Sequence, residues 1–278
     1  MFRNQNINRA SQLLFTFSYL SFDIVISVFA NLIFFRHYFQ TKLHLSLVLF
    51  YLTSVWVLYL SDHLWDAKKE IAPLSLRSQF YLQNQSKIQW AIGILCLSAL
   101  VLGFVWEWQF LIQNQIYLFS FLIVLVLVVK QRSPIPKEIL VSVFYTWGIQ
   151  LPFLRAKGLT PLVGIFFLHV LANVLQTYQI DRERDKIQKT NTLNLWLSPR
   201  LAKGLAILVF LSGFSFLCFG FGSQTIPFVF FLGMGLSYLW LGVTWYFFLK
   251  PTYQKLFSEL SYLPMFLPAI IFFFSGLR

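Results

Sequence analysis

Six of the ten acidic residues in this 278-residue chain, Asp62, Asp66, Glu70, Asp181, Glu183 and Asp185, fall in two polar segments, 61–87 and 179–203. Each segment begins with an Asp-x-x-x-Asp pair: Asp62-His-Leu-Trp-Asp66 and Asp181-Arg-Glu-Arg-Asp185. On a helix, side chains four apart are neighbours on one face. Two carboxylates so placed raise each other's pKa unless a cation lies between them. Their hard oxygens suit Mg²⁺, which binds through one or two carboxylates and fills its remaining positions with water and substrate phosphate. Bases interleave with the second pair (Arg182, Arg184, Lys186, Lys189), and a third polar stretch adds Lys130, Arg132 and Lys137 around Pro134 and Pro136. Acids for a metal beside Arg and Lys for phosphate oxygens describe a diphosphate site. The two pairs stand 119 residues apart, as an internal repeat would place them.

The elements that must position these groups are apolar helices. Hydrophobic residues make up 58% of the chain and charged residues 12%, with a mean hydropathy of +0.67, which excludes an ordinary soluble domain and a disordered chain. A spanning helix needs about 20 mostly apolar residues to cross a hydrocarbon core of about 30 Å. Nine stretches qualify: 12–35, 42–60, 88–106, 109–129, 138–156, 160–178, 201–220, 225–248 and 257–276. Runs such as Phe121 to Val129 do not alternate in the manner of a transmembrane barrel. The expected fold is therefore all-α: a single polytopic domain over 1–278 with nine transmembrane helices and its motif loops at about 61–87 and 179–203. The first apolar run exceeds the apolar core of a secretory leader and is expected to be a retained helix. Cys96 and Cys218 fall inside spans with no CxxC pairing, and are expected to be small core residues.

Lys and Arg are divided 17 to 5 between the two sides of this bundle. The positive-inside rule then places the N-terminus and both motif segments in the cytoplasm, with the chain in a cell's inner (cytoplasmic) membrane. Each aspartate pair ends an even-numbered helix, where the helix dipole favours a bound cation. The net charge of +12 reflects this topology, and no nucleic-acid-binding fold is visible.

At these residues the chain resembles the UbiA superfamily of intramembrane prenyltransferases. Tyr178-Gln-Ile-Asp-Arg-Glu-Arg-Asp-Lys186, followed by Thr192-Leu193, is similar to that family's second aspartate motif. Leu60-Ser-Asp-His-Leu-Trp-Asp66 resembles a shortened first motif, and Lys130 to Pro136 resembles the basic, proline-containing loop between helices 4 and 5. The chain departs from the pattern where Leu58 and Tyr59 occupy the opening of the first motif, and where Val174 and Thr177 stand at positions commonly acidic. The resemblance implies Mg²⁺-dependent transfer of an isoprenyl group from its diphosphate to an aromatic or lipid acceptor in the bilayer. Asp62, Asp66, Asp181 and Asp185 would then be the catalytic, metal-holding residues, with Lys130, Arg182, Asn173 and Lys186 binding substrate.

Two ionisable groups lie within spans, Asp23 near the middle of helix 1 and His169 near the middle of helix 6. His169, Asn173, Gln176 and Thr177 share a face leading towards Asp181, and either line a cavity or hydrogen-bond between helices. Two other functions stay open: an inactive, lipid-binding relative of the prenyltransferases, and a transporter built from repeats. A phosphatidyl-alcohol transferase is disfavoured, because Asp66 is followed by Ala67-Lys-Lys where that family places Gly.

Overall fold

The structure is a computed structural model that describes residues 9–71, 74–129, 133–154, 158–188, 191–247 and 250–275. Among these residues the regular structure is helical throughout, with no strand. Lys130, Arg132 and Lys189 lie outside the described residues. In chain order the helices are α1 (Arg9–Tyr19), α2 (Phe22–Phe39), α3 (Leu45–Lys69), α4 (Leu76–Gln83), α5 (Gln85–Val101), α6 (Trp108–Gln113), α7 (Gln115–Val129) and α8 (Lys137–Gln150). Then follow α9 (Pro161–Ile180), α10 (Arg182–Gln188), α11 (Leu193–Trp196), α12 (Pro199–Gly222), α13 (Phe228–Phe247), α14 (Pro251–Glu259) and α15 (Leu267–Ser275).

Seven helices among the described residues are long and apolar enough to cross a membrane: Phe22–Phe39, Leu45–Lys69, Gln85–Trp106, Pro161–Ile180, Pro199–Gly222, Phe228–Phe247 and Tyr253–Ser275. Large apolar side chains lie exposed along them, Trp90, Ile94, Leu97 and Val101 on α5 among others, as lipid-facing helices require. The chain is a multi-pass membrane protein by this character. The fourth and fifth expected spans are helical but shorter. Asn114 interrupts the fourth, its side-chain amide turning back onto the Phe110 carbonyl (2.8 Å), and leaves α7 with 15 residues. The fifth, α8, starts after Pro136 and has 14 residues, about 21 Å of helix at about 1.5 Å per residue.

Prolines mark the helix starts. Pro161, Pro199 and Pro251 open α9, α12 and α14, where a missing N–H costs nothing. Ser75 and Ser198 cap α4 and α12, accepting from the backbone N–H of Ser78 (3.2 Å) and Leu201 (3.4 Å). Inside the last span Pro264 has the opposite effect: the α-helix gives way to a 3₁₀ stretch, Leu260–Phe266. Three carbonyls just before this stretch accept from side chains. Ser27 Oγ donates to Glu259 O (2.7 Å), Asn173 Nδ2 to Ser258 O (2.7 Å) and Trp240 Nε1 to Phe257 O (2.9 Å). A broken helix at membrane depth is tolerated when its polar groups are satisfied in this way.

The described chain divides into two compact units, one from Met1–Ile26 with Leu45–Glu107 and one from Ser27–His44 with Trp108–Arg278. The first has its core in Leu60, Leu64, Ala67, Tyr81 and Ile88, packed by Tyr19, Leu20, Trp56 and Phe80. The core of the second is aromatic, with Phe34, Phe35, Phe153 and Phe166 fully buried and Phe35 set edge-on to Phe166 at 5.1 Å.

Candidate functional site: two aspartate pairs

Asp62 and Asp66 both lie on the last two turns of α3, one helical turn apart, Asp62 exposed and Asp66 half-buried. On another face of α3 a shallow pocket of about 240 Å³ is lined by Ser61, Leu64, Trp65 and Lys68 together with Gln89 and Ile92, and neither carboxylate lines it. Glu70, the third acid of this segment, accepts from Ser75 Oγ (3.0 Å) and the Ser75 N–H (3.3 Å), shaping the turn into α4.

The residue between the two aspartates is tied into a polar network that spacing did not announce. His63 Nε2 faces Arg77 Nη1 at 3.2 Å, and a guanidinium only donates, so Nε2 accepts and Nδ1 carries the proton. That proton points at Ser21 Oγ (3.2 Å) and Tyr81 Oη (3.3 Å), while Tyr81 donates onward to the Tyr19 carbonyl at 2.6 Å. Burial, the largest influence on Tyr81, pushes its phenol far above the ordinary range, so it remains a neutral donor. Ser21 has a positive φ of 59°, an unusual conformation for a residue with a side chain, held here by these bonds. Tyr81→Phe is expected to lower stability by about 1–2 kcal/mol, since it leaves the half-buried Tyr19 carbonyl without its donor. Denaturant unfolding in detergent micelles checks this.

Asp23 is corrected by the same break. The expected continuous helix over 12–35 is interrupted at Leu20 and Ser21, which moves Asp23 from mid-helix to the first turn of α2. There its carboxylate accepts from Ser18 Oγ (2.9 Å) and the Ile24 N–H (3.0 Å), at the helix end whose dipole favours an anion.

In the second motif Asp181 ends α9, and the Asp185 N–H donates to its carbonyl (2.9 Å), so the two aspartates keep a one-turn relation across the bend into α10. Asp185 is buried and Lys186 exposed. Asp181 forms an ion pair of 2.5 Å with Lys255 of α14, each side chain about one-third exposed. Arg182 Nη2 donates to the Leu197 carbonyl (3.0 Å), whereas its Nη1 is buried and has no hydrogen-bond partner among the described residues.

The proline loop is held against the segment that follows this motif. The Lys137 N–H donates to Asn191 O (2.9 Å) and Asn191 Nδ2 to Ser133 O (2.8 Å). Lys137 Nζ sits 5.9 Å from the centre of the Tyr178 ring. Glu138, fully buried, accepts the backbone N–H groups of Leu193 (2.9 Å) and Asn194 (3.1 Å) at the start of α11.

The polar stripe of α9 is turned inward. Asn173 bonds the Ser258 carbonyl and Ser261 Oγ (3.3 Å), Gln176 Nε2 donates to Thr244 Oγ1 (3.3 Å), and Thr177 Oγ1 donates to its own helix at Val174 O (3.0 Å). His169 is fully buried between Tyr238 and Tyr262, in T-shaped contact with both at 4.8 and 5.0 Å between ring centres. Asn173 and Gln176 thus serve as ties between helices. Cys96 and Cys218, expected to be core residues, are exposed on their helices.

Among the described residues no group of three or more His, Cys, Asp or Glu side chains is assembled to hold a metal ion. The available donors are pairs of carboxylates one turn apart. Such a pair fits Mg²⁺, which takes few protein oxygens and keeps water and phosphate for the rest. Lys255 on Asp181 indicates that this carboxylate already attracts a cation. Lys255, His63, Arg77 and Glu138 were not singled out by spacing as functional residues, because each acts through a partner distant in sequence. Comparison with protein-family models, curated proteins and solved structures finds no match to this chain.

Proposed function

We propose that this protein is a Mg²⁺-dependent intramembrane prenyltransferase of the UbiA type, moving an isoprenyl group from its diphosphate to a hydrophobic aromatic or lipid acceptor. The proposal includes nine membrane-embedded helices, a cytoplasmic N-terminus and a site opening towards the cytoplasm. The observation that carries it is Arg182: beside Asp181, one guanidinium nitrogen is anchored to Leu197 while the other is buried without an acceptor among the described residues. A buried donor left in this state costs about 1–3 kcal/mol, which an incoming phosphate oxygen relieves.

In this scheme Asp62, Asp66, Asp181 and Asp185 hold Mg²⁺, and Arg182, Lys186 and Lys130 neutralise diphosphate oxygens. The bound ion supplies stabilisation of the charge that develops on the departing diphosphate. The carboxylate pairs orient it, and the apolar helices keep water from the allylic cation left by the leaving group. Asn173 contributes by fixing α14 against α9 rather than by touching substrate.

The test is a titration of purified protein with a non-hydrolysable isoprenyl thiodiphosphate, with and without Mg²⁺, beside Asp62→Ala and Asp181→Ala. Binding is expected to require Mg²⁺ and to be lost in both variants. No binding by folded protein, or equal binding without metal and in both variants, would overturn the enzyme reading and favour the transporter alternative, whereas Mg²⁺-dependent binding without turnover on any acceptor would favour the inactive relative.

A further inference from the structure

Resting on the proposed diphosphate site, we infer that Lys255 is a resident counter-ion of Asp181 that a divalent ion displaces and that then serves as a ligand of the diphosphate. The geometry behind this is specific. Lys255 lies on the second turn of α14 and reaches Asp181 at the end of α9. The same two helices are fastened by the bond from Asn173 to the Ser258 carbonyl. The backbone that carries Lys255 is therefore fixed, while its ammonium, on four methylenes, remains free to swing by several ångströms.

The charges make the exchange reasonable. Without ligand, Asp181 is neutralised by Lys255, whereas the neighbouring Arg182 keeps an unfilled donor. A divalent ion and an ammonium compete for the same carboxylate oxygen, so the ion pair opposes binding of the metal alone. When metal and diphosphate arrive together, the carboxylate turns to the metal, and the released ammonium and the Arg182 donor face phosphate oxygens. The pair thereby couples metal binding to diphosphate binding.

Removing the ammonium should move the two affinities in opposite directions, which a merely structural role would not do. Binding of Mn²⁺ alone, followed by electron paramagnetic resonance, is expected to tighten in Lys255→Met by about 1.5-fold to fivefold, the range for an exposed ion pair. Binding of inorganic diphosphate in the presence of Mg²⁺ is expected to weaken by a similar factor. Lys255→Gln, which still offers Asp181 a hydrogen bond, should change both affinities in the same directions, and Lys255→Arg should restore native behaviour. Unchanged or weaker Mn²⁺ binding in folded Lys255→Met and Lys255→Gln, with Asp181→Asn weakened, would overturn the role of Lys255 and leave the metal site standing. If the native protein binds no Mn²⁺ and Asp181→Asn does not differ from it, the metal site itself fails and the inference with it.

Discussion

Glu138→Ala is expected to cost this protein about 2–4 kcal/mol of stability and to unfasten the segment that follows the second aspartate pair. Glu138 is fully buried in the first turn of α8, and its two carboxylate oxygens take the N–H groups of Leu193 and Asn194 separately. These are N-terminal donors of α11, a four-residue helix too short to be stable alone. Alanine leaves both without that acceptor, Asn194 in a buried place and Leu193 in a half-buried one, and an orphaned buried group costs about 1–3 kcal/mol. Glu138→Gln sets an NH₂ against one of the two N–H groups, so it recovers at most one bond and should fall between alanine and native. Hydrogen exchange gives the local measurement: the amides of Leu193 and Asn194 should lose protection first and most in Glu138→Ala. Because the Lys137 N–H is bonded to Asn191, loosening should extend into the proline loop. If those amides stay protected, water or another acceptor supports α11 and the carboxylate is not its anchor.

The helical architecture and both aspartate pairs were legible because their signals are local. Apolar run length shows where a helix must be, and a four-residue spacing is kept by any helix: Asp62 and Asp66 share the end of α3 as expected. What escaped depended on contacts distant in sequence or on conformations without a compositional mark. The break at Ser21 involves no Gly or Pro, and is held by His63 and Tyr81, more than forty residues away. Asp23 therefore looked like a charge in mid-membrane when it begins a helix. Asn173, placed by resemblance among substrate-binding residues, is bonded to a carbonyl 85 residues further on. Lys255 followed the same pattern: the positive-inside rule accounts for any base near a helix end, so nothing local distinguished the one that meets Asp181.

Gly213→Ala is expected to destabilise the protein by about 2–4 kcal/mol, although alanine is the better helix former. A β-carbon at Gly213 of α12 would collide with Tyr238 Oη and stand 2.8 Å from Tyr238 Cζ and 2.9 Å from Leu168 Cβ. The phenol has nowhere to withdraw without loss. It is fully buried, and its hydroxyl donates to the Ile165 carbonyl of α9 at 2.7 Å. The ring also packs against His169 and Phe210. One added methyl must therefore either separate α12 from α9 and α13 or expel Tyr238, an overpacking cost of about 1–3 kcal/mol joined to that of a lost buried hydrogen bond. Gly204 of the same helix is the control, since a β-carbon there meets nothing within 4 Å among the described residues. Gly204→Ala should be neutral or stabilising by up to about 1 kcal/mol. Unfolding of both variants in one detergent measures the difference directly. Adding Tyr238→Phe separates the two contributions: if the clash lies at the hydroxyl, the double variant should regain part of what Gly213→Ala loses. Equal stability of Gly213→Ala and Gly204→Ala would mean that α12 does not press against Tyr238 of α13.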